Sequence, residues 1–192
     1  MEVKQRRLAI VSSQGKKYSG VVDIPNENFR TTDLLNSSNI FWKNPNEKCY
    51  DNAILMYDVK LFLDDAAVYR KFDKIQVKLS EIFYVYDEMQ NLGDTMEKKR
   101  ASTMIKQTQE NSQIVNIITK EVANSFYDIS GTFFGLFKKK SKDKFIPLTE
   151  ASIIEIYKRQ DKWGKKQIKL PHNFVCVSNQ HIESVVIGQG ST

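Results

Sequence analysis

Residues 112–131, SQIVNIITKEVANSFYDISG, admit two readings, and the choice between them decides the fold. Val115, Ile118, Val122 and Phe126 recur at three- and four-residue spacing, which makes one apolar stripe along a helix. The stretch before them, 94–111, is rich in Glu, Lys, Arg, Ala, Met and Gln and contains no Gly or Pro. Asp94 or Thr95 can cap its start, and Glu97 follows Asp94 at capping-box spacing. These features predict one long helix, or two broken near 111–113, ending before Gly131. The alternative is a strand over 113–119, because Ile114-Val115 and Ile117-Ile118 are β-branched pairs. Short apolar runs do not separate the two readings.

Both flanks of this stretch read as β. Leu8-Ala9-Ile10-Val11 and the run from Tyr18 to Ile24 form a predicted hairpin. Ser12-Ser13-Gln14-Gly15 is its turn, and Pro25 stops the second strand. Thr31-Thr32-Asp33-Leu34-Leu35-Asn36 reads as a single capped helical turn, and 43–52 as a polar loop. Strands are then predicted over 54–63, 75–79 and 82–86, with 67–70 extending or following the first. Beyond the central stretch, 145–148, 152–157, 167–170, 174–177 and 183–187 are further strand candidates, with a turn at Asp161-Lys162-Trp163-Gly164. Gly188 to Thr192 is a candidate frayed tail.

The two flanks echo each other in the same order. Gln76-Val77-Lys78-Leu79 resembles Gln167-Ile168-Lys169-Leu170, and Phe83 falls level with Phe174. Tyr18-Ser19-Gly20-Val21-Val22 resembles Ile129-Ser130-Gly131-Thr132-Phe133, and Met56-Tyr57-Asp58-Val59 resembles Leu148-Thr149-Glu150-Ala151. A repeat would explain this order, and so would chance similarity among strands rich in β-branched and aromatic residues.

Phe29-Arg30-Thr31-Thr32-Asp33-Leu34-Leu35-Asn36, after a strand stopped by Pro25, resembles the start of small bacterial Sm-like β-barrel domains of unknown role. Phe145-Ile146-Pro147-Leu148-Thr149-Glu150-Ala151, with Phe174-Val175-Cys176-Val177-Ser178-Asn179-Gln180-His181-Ile182, resembles the end of such a domain. The resemblance covers about half the chain. It implies a fold and no activity. The start of the pattern is best in the first half and its end in the second. The expected fold is therefore α+β and β-dominant: two small barrel-like antiparallel modules, 1–90 and 128–192, separated by a helical connector over 91–127. The competing arrangement is one barrel from 7–42 and 145–187 with an insertion between.

The net charge of +6 is unevenly placed: between 138 and 169 lie eleven Lys and Arg against four acids. Lys138, Lys139, Lys140, Lys142, Lys144, Lys158, Arg159, Lys162, Lys165 and Lys166, with Trp163, form a candidate binding surface for acidic or phosphate-bearing partners. A solvated face is the bland reading of the same residues. Phe133, Phe134, Leu136 and Phe137 stand directly before the Lys run. They suggest a loop or hairpin that closes the core, or a contact with a partner or an anionic membrane surface. RNA binding needs aromatic side chains exposed beside the basic strip.

No catalytic constellation emerges. The two histidines, His172 and His181, lack HxxxH spacing, and there is no GxSxG, GxGxxG or GxxxxGK[ST]. Asp64 and Asp65 are adjacent, which on a strand points them to opposite faces. Cys49 and Cys176 lack CxxC spacing and are expected as buried reduced thiols, so no metal or other cofactor is expected. No apolar run approaches the roughly 20 residues that span a bilayer, and the basic N-terminus lacks a signal-peptide pattern. The expectation is a cytoplasmic, non-enzymatic binding or scaffold protein. Its partners are expected to be another protein or further copies of itself, with nucleic acid or an anionic membrane surface as alternatives and no small-molecule substrate.

Overall fold

The computed structural model describes residues 4–37, 52–63, 67–89, 95, 97–99, 102–103, 112–134 and 143–189. Eleven strands join into one open antiparallel sheet. In chain order they are β1 (Lys4–Ser12), β2 (Lys17–Ile24), β3 (Ala53–Phe62), β4 (Val68–Lys78), β5 (Ile82–Asp87), β6 (Ser112–Thr119), β7 (Ser125–Phe134), β8 (Phe145–Arg159), β9 (Lys162–Ile168), β10 (Phe174–Ser178) and β11 (Ile182–Gln189). The short helix α1 (Thr31–Asn36) lies between β2 and β3, and 3-10 turns at Leu79–Glu81 and Asn179–His181 precede β5 and β11. Across the sheet the order is β11-β6-β7-β8-β10-β5-β1-β2-β3-β4, with β9 beside the far end of β8.

The long helix is overturned at 112–127. Residues 112–119 are β6, and its partner β7 begins at Ser125. Val115, Ile117 and Thr119 point inward from β6, while Ile114 and Asn116 are exposed. The apolar period is therefore two and not 3.6. Between the strands, Ala123 and Asn124 both have positive φ, +53° and +64°. Val122 and Ser125 exchange backbone hydrogen bonds across this two-residue turn. Such a turn matches strand twist, but its usual signal is Asn-Gly or Asp-Gly. Of the predicted helix over 94–111, residues 95, 97–99 and 102–103 are described, and they are helical.

The barrels are also overturned: the strands form one open sheet, in neither the two-module nor the one-barrel arrangement. The reason is visible in the core. Leu8 and Ile10 of β1, Val85 of β5 and Phe174 and Cys176 of β10 face one apolar cluster, which also receives α1 through Leu34 and Leu35. Their alternates Ala9, Val11, Tyr84, Tyr86, Val175 and Val177 face a second cluster on the opposite side. β2, β3 and β4 serve only the first cluster, and β6 and β7 only the second. The central strands thus carry two cores at once.

The predicted hairpin at 7–24 is β1–β2, and Gly15 in its turn has φ +71°. The predicted helical turn at 31–36 is α1, although Arg30 at its N-cap makes no side-chain cap bond. The turn expected at 161–164 sits at Gln160-Asp161, so that Arg159 pairs with Lys162.

Several geometric features occur twice. The β2–β3 ladder skips a register between Ser19 and Val21, and β7–β8 does so between Ser130 and Thr132. On the partner strands Asp58 and Glu150 take positive φ, +46° and +52°. A Cβ on Gly20 would lie 2.8 Å from Val59 Cγ2, and one on Gly131 2.9 Å from Leu148 Cβ and Thr149 O. Glycine allows the close backbone approach in both ladders. After the 3-10 turns, β5 returns to β1 through Ser12↔Ile82 and Val11↔Tyr84, and β11 returns to β6 through Thr119↔Ile182 and Ile118↔Ser184.

Candidate binding cleft and the polar junction

Part of the basic surface gathers on the far end of the β8–β9 hairpin. Lys158, Arg159 and Lys166 line a cleft of about 620 Å³ together with Lys17 from β2. Its floor and walls include Tyr84, Tyr86, Tyr127 and Tyr157, and Glu155 is the one acid among the lining residues. The tyrosines form a packed set: Tyr84 meets Tyr127 edge-on at 5.1 Å, and lies 6.4 Å from Tyr86. Lys17 Nζ lies 5.4 Å from the Phe62 ring and 5.6 Å from the Tyr86 ring. The Arg159 guanidinium sits 5.2 Å from the ring of Tyr157. Such contacts hold cations over aromatic faces. Two of the cations are ion-paired, Lys17 with Glu88 at 3.8 Å and Lys158 with Asp161. Chemically, the cleft suits an anionic group attached to an aromatic or apolar body.

The remaining predicted residues are dispersed. Lys162 and Lys165 are exposed on β9. Trp163 is 54% exposed and rests edge-on against Phe126 at 5.9 Å. Lys158 forms an ion pair with Asp161 at 3.2 Å. Lys144 lies apart from that hairpin and donates to Asn52 Oδ1 at 3.2 Å. It borders a second cleft of about 510 Å³ where the two 3-10 turns meet, lined also by Leu79, Ser80, Ser178, Asn179 and Gln180. Gln180 donates to the Ser80 carbonyl, and His181 Nε2 lies 2.8 Å from the same oxygen. His181 also packs its ring edge-on against Phe83 at 4.6 Å. Phe133 is half-buried against the second core, and Phe134 ends β7 half-buried. Lys138, Lys139, Lys140, Lys142, Leu136, Phe137 and Cys49 lie outside the described residues, as do Asp64 and Asp65.

A buried polar network at the junction of α1, β1, β5 and β10 had no counterpart in the sequence reading. Arg6, only 5% exposed, donates to Thr31 Oγ1 at 2.8 Å and to the Glu27 carbonyl at 3.2 Å. Thr31 in turn donates to Asp87 at 2.8 Å. Arg30 clamps Asp33 and also reaches Glu97 Oε1 at 3.0 Å, which accepts from Thr32 at 3.1 Å. Thr32 Oγ1 lies 3.5 Å from Cys176 Sγ. Glu97 is 3% exposed and fastens its helical segment to α1; Asp94, its expected capping partner, lies outside the described residues. Burial pushes the Cys176 thiol well above its ordinary range and pulls the Arg6 guanidinium down, with Asp87 opposing the latter. Burial disfavours charge on Arg30 as well, yet the hydrogen bond to Asp33 and the Glu97 charge raise it overall. These links tie α1 and the helical segment at Glu97 to β1, β5 and β10, and Cys176 is the expected reduced, buried thiol.

Among the described residues no group of three or more His, Cys, Asp or Glu could hold a metal ion, and no helix is long and apolar enough to cross a membrane. No protein-family model matches the chain, and no curated protein or solved structure matches it either.

Proposed function

We propose that this chain is a non-enzymatic binding or scaffold protein that acts through contacts with other proteins. The observation that carries the reading is the sheet's pair of ends. Among the described strands, β4 has β3 as its one ladder partner and β11 has β6. Both ends bear exposed apolar side chains: Val68 and Tyr69 on β4, Val186 and Ile187 on β11. Edges with a single described ladder partner and such residues suit strand addition.

The same reading includes a strand programme carried twice, β1 to β5 and β6 to β11. Matched bulges, matched close-approach glycines and matched returns of β5 and β11 support it. So does a pair of backbone bonds: Leu79 N–H donates to Asn52 O and Asn179 N–H to Lys144 O, each at 2.8 Å. In this scheme β9 and β10 together take the place of β4, interrupted at Pro171-His172-Asn173. The test is retention of a discrete set of proteins from native lysate by the immobilised chain. Loss of that set with Ser184→Lys/Val186→Lys fits the reading, and turnover in a broad activity screen overturns it.

A second reading rests on the tyrosine-lined cleft: nucleic acid held through Lys158, Arg159, Lys166 and Lys17. Anisotropy of a labelled single-stranded RNA tests it. Affinity should fall steeply between low and moderate salt, because phosphate contact releases counterions. A flat salt dependence, or no change with Lys166→Glu, removes it.

A further inference from the structure

The molecule contains one junction between its two strand sets, and that junction uses two kinds of edge. β5 lies beside β10, antiparallel, with Val85 opposite Cys176 and Tyr84 opposite Val177. β5 is a strand that follows a 3-10 turn and pairs back on the first strand of its set. β10 is a strand that pairs with the start of a third strand, through Phe145↔Ser178, and runs into a 3-10 turn.

The two outer ends of the sheet are the same two kinds of edge. β11 follows a 3-10 turn and pairs back on β6, and it skips a residue after Ile182 as β5 does after Ile82. β4 pairs with the start of β3, through Ala53↔Lys78, and runs into a 3-10 turn. Among the described strands, the internal junction uses one edge of each kind and one of each kind remains at the ends of the path, while β9, paired only with β8, is a further edge of neither kind.

We propose that a second copy of this chain adds its β4 edge, antiparallel, to the β11 edge of the first, in the register that places Gln76 opposite Val185 and Val77 opposite Ser184. This register is the internal one transposed: Lys78 takes the place of Ser178, and Ile182 that of Ile82. It rests on the scaffold reading above and names the partner at those edges. The faces agree as well. Val77 and Val85 point into the first core, and their counterparts Val177 and Val185 point toward the second.

The composition of β11 leaves that edge open to pairing, whereas β4 carries Arg70, Lys71, Lys74 and Lys78. Edge strands that avoid pairing carry Lys, Pro or inward charges. β11, Ile-Glu-Ser-Val-Val-Ile-Gly-Gln, has one charge and no Lys or Pro. Val186 is 64% exposed and Ile187 45%, beside Ile114 on β6 at 43%. In the same register Ile75 of the incoming β4 stands opposite Val186. Compared with the internal junction, Ser184 replaces Tyr84 and Gln76 replaces Cys176, so the contact between copies is the weaker and more reversible one. Because the two edges differ, the contact is head-to-tail. It closes into a ring where the rotation allows and propagates into a filament where it does not.

The experiment uses the full chain with Cys49→Ser, carrying Ile75→Cys and Val186→Cys together. Residues directly opposite in an antiparallel ladder lie about 4.5–5.5 Å apart at Cα, within disulfide reach. Oxidation with glutathione disulfide should give reducible multimers beyond the dimer, or one closed species, while each single variant forms no covalent multimer. Covalent dimers from a single variant would mean like edges meet, and overturn the proposal. So would sedimentation as a monomer throughout a concentration series into the high-micromolar range. Ser184→Lys/Val186→Lys should weaken self-association at least tenfold with an unchanged melting temperature in dilute solution. If the purified chain stays monomeric yet still retains partners from lysate through β11, the second copy is excluded and the scaffold reading survives.

Discussion

β5 and β11 occupy corresponding places, each after a 3-10 turn and each paired back on the strand that opens its half, yet their side chains differ sharply. All six residues of β5, from Ile82 to Asp87, are buried. In β11, Glu183, Ser184, Val186 and Ile187 are exposed and Ile182 and Val185 half-buried. The difference follows from the neighbours. β5 has a strand on each side, β1 and β10, and a core on each face. β11 has one neighbour among the described strands and one core. Burial on two faces removes the alternation that burial on one face produces. Local sequence is thus a record of position in the sheet as much as of strand propensity.

The strongest way to break this comparison is to empty the centre. Phe83 is 1% exposed and touches Tyr127 and His181 edge-on. Phe83→Ala should cost about 3–5 kcal/mol, measured by urea unfolding. A cost near that of a surface change would mean the second core is not a packed one.

Next in size are the bulges shared by the two halves. Gly131→Ala drives a methyl to within 2.9 Å of Leu148 Cβ and the Thr149 carbonyl, and Gly20→Ala to within 2.8 Å of Val59 and 3.0 Å of the Tyr57 carbonyl. Backbone is among the obstacles in both places. Each change should destabilise by about 1–3 kcal/mol, the usual cost of overpacking. Equal losses sharpen the case for a repeated strand programme; a loss at one site alone would mean that the two bulges are not equivalent.

The glycines also mark what could be seen in advance. Ser19-Gly20 and Ser130-Gly131, which resemble each other in the sequence, each lie at a ladder bulge opposite a positive-φ acid, Asp58 or Glu150. The match of 76–85 with 167–176 is different. It sets the 3-10 turn at Leu79–Glu81 against the link between β9 and β10, whereas the second 3-10 turn lies at Asn179–His181. A ten-residue text comparison favours identity in Gln, Lys and Leu and carries no knowledge of where the ladder lies. The misread helix has a similar origin. Val115 and Phe126 fit a helical stripe only because a turn, Ala123-Asn124, separates two strands at that spacing. Alanine at positive φ is a poor turn signal, so nothing in the residues announced the break. Of the residues lining the cleft, Lys158, Arg159 and Lys166 are close in sequence. Lys17, Tyr84, Tyr86 and Tyr127 reach it from three other strands, and only the sheet order brings them there.

The junction predicts a smaller effect, set by pH. Burial raises the Cys176 thiol well above its ordinary value, so the folded state keeps its proton where the unfolded state loses it. For a group raised on folding, the stabilisation is complete below the unfolded pKa and disappears as pH rises beyond it. In a Cys49→Ser chain, stability should begin to fall near pH 8.5. The slope should approach about 1.4 kcal/mol per pH unit from one proton. Tyr18, raised by its burial and by Glu81, adds a second decline above about pH 10. Urea midpoints from pH 7 to above the tyrosine range measure both, and Cys176→Ala should abolish the first. A profile flat from pH 8 to 9.5 would mean the thiol is reached by solvent.

The smallest expected effect is the most discriminating for the edge. Val186 is the most exposed apolar residue of β11, and its removal leaves both cores untouched. In dilute monomer, Val186→Ala should change unfolding free energy by no more than about 0.5 kcal/mol, the range of surface substitutions. The same change at high protein concentration should lower stability further, because a folded-state association that uses Val186 adds to apparent stability by mass action. The contrast between the two concentrations isolates the edge from the fold. If the loss is large already in dilute solution, something within the chain covers β11, and the resemblance of its position to that of β5 extends to its burial.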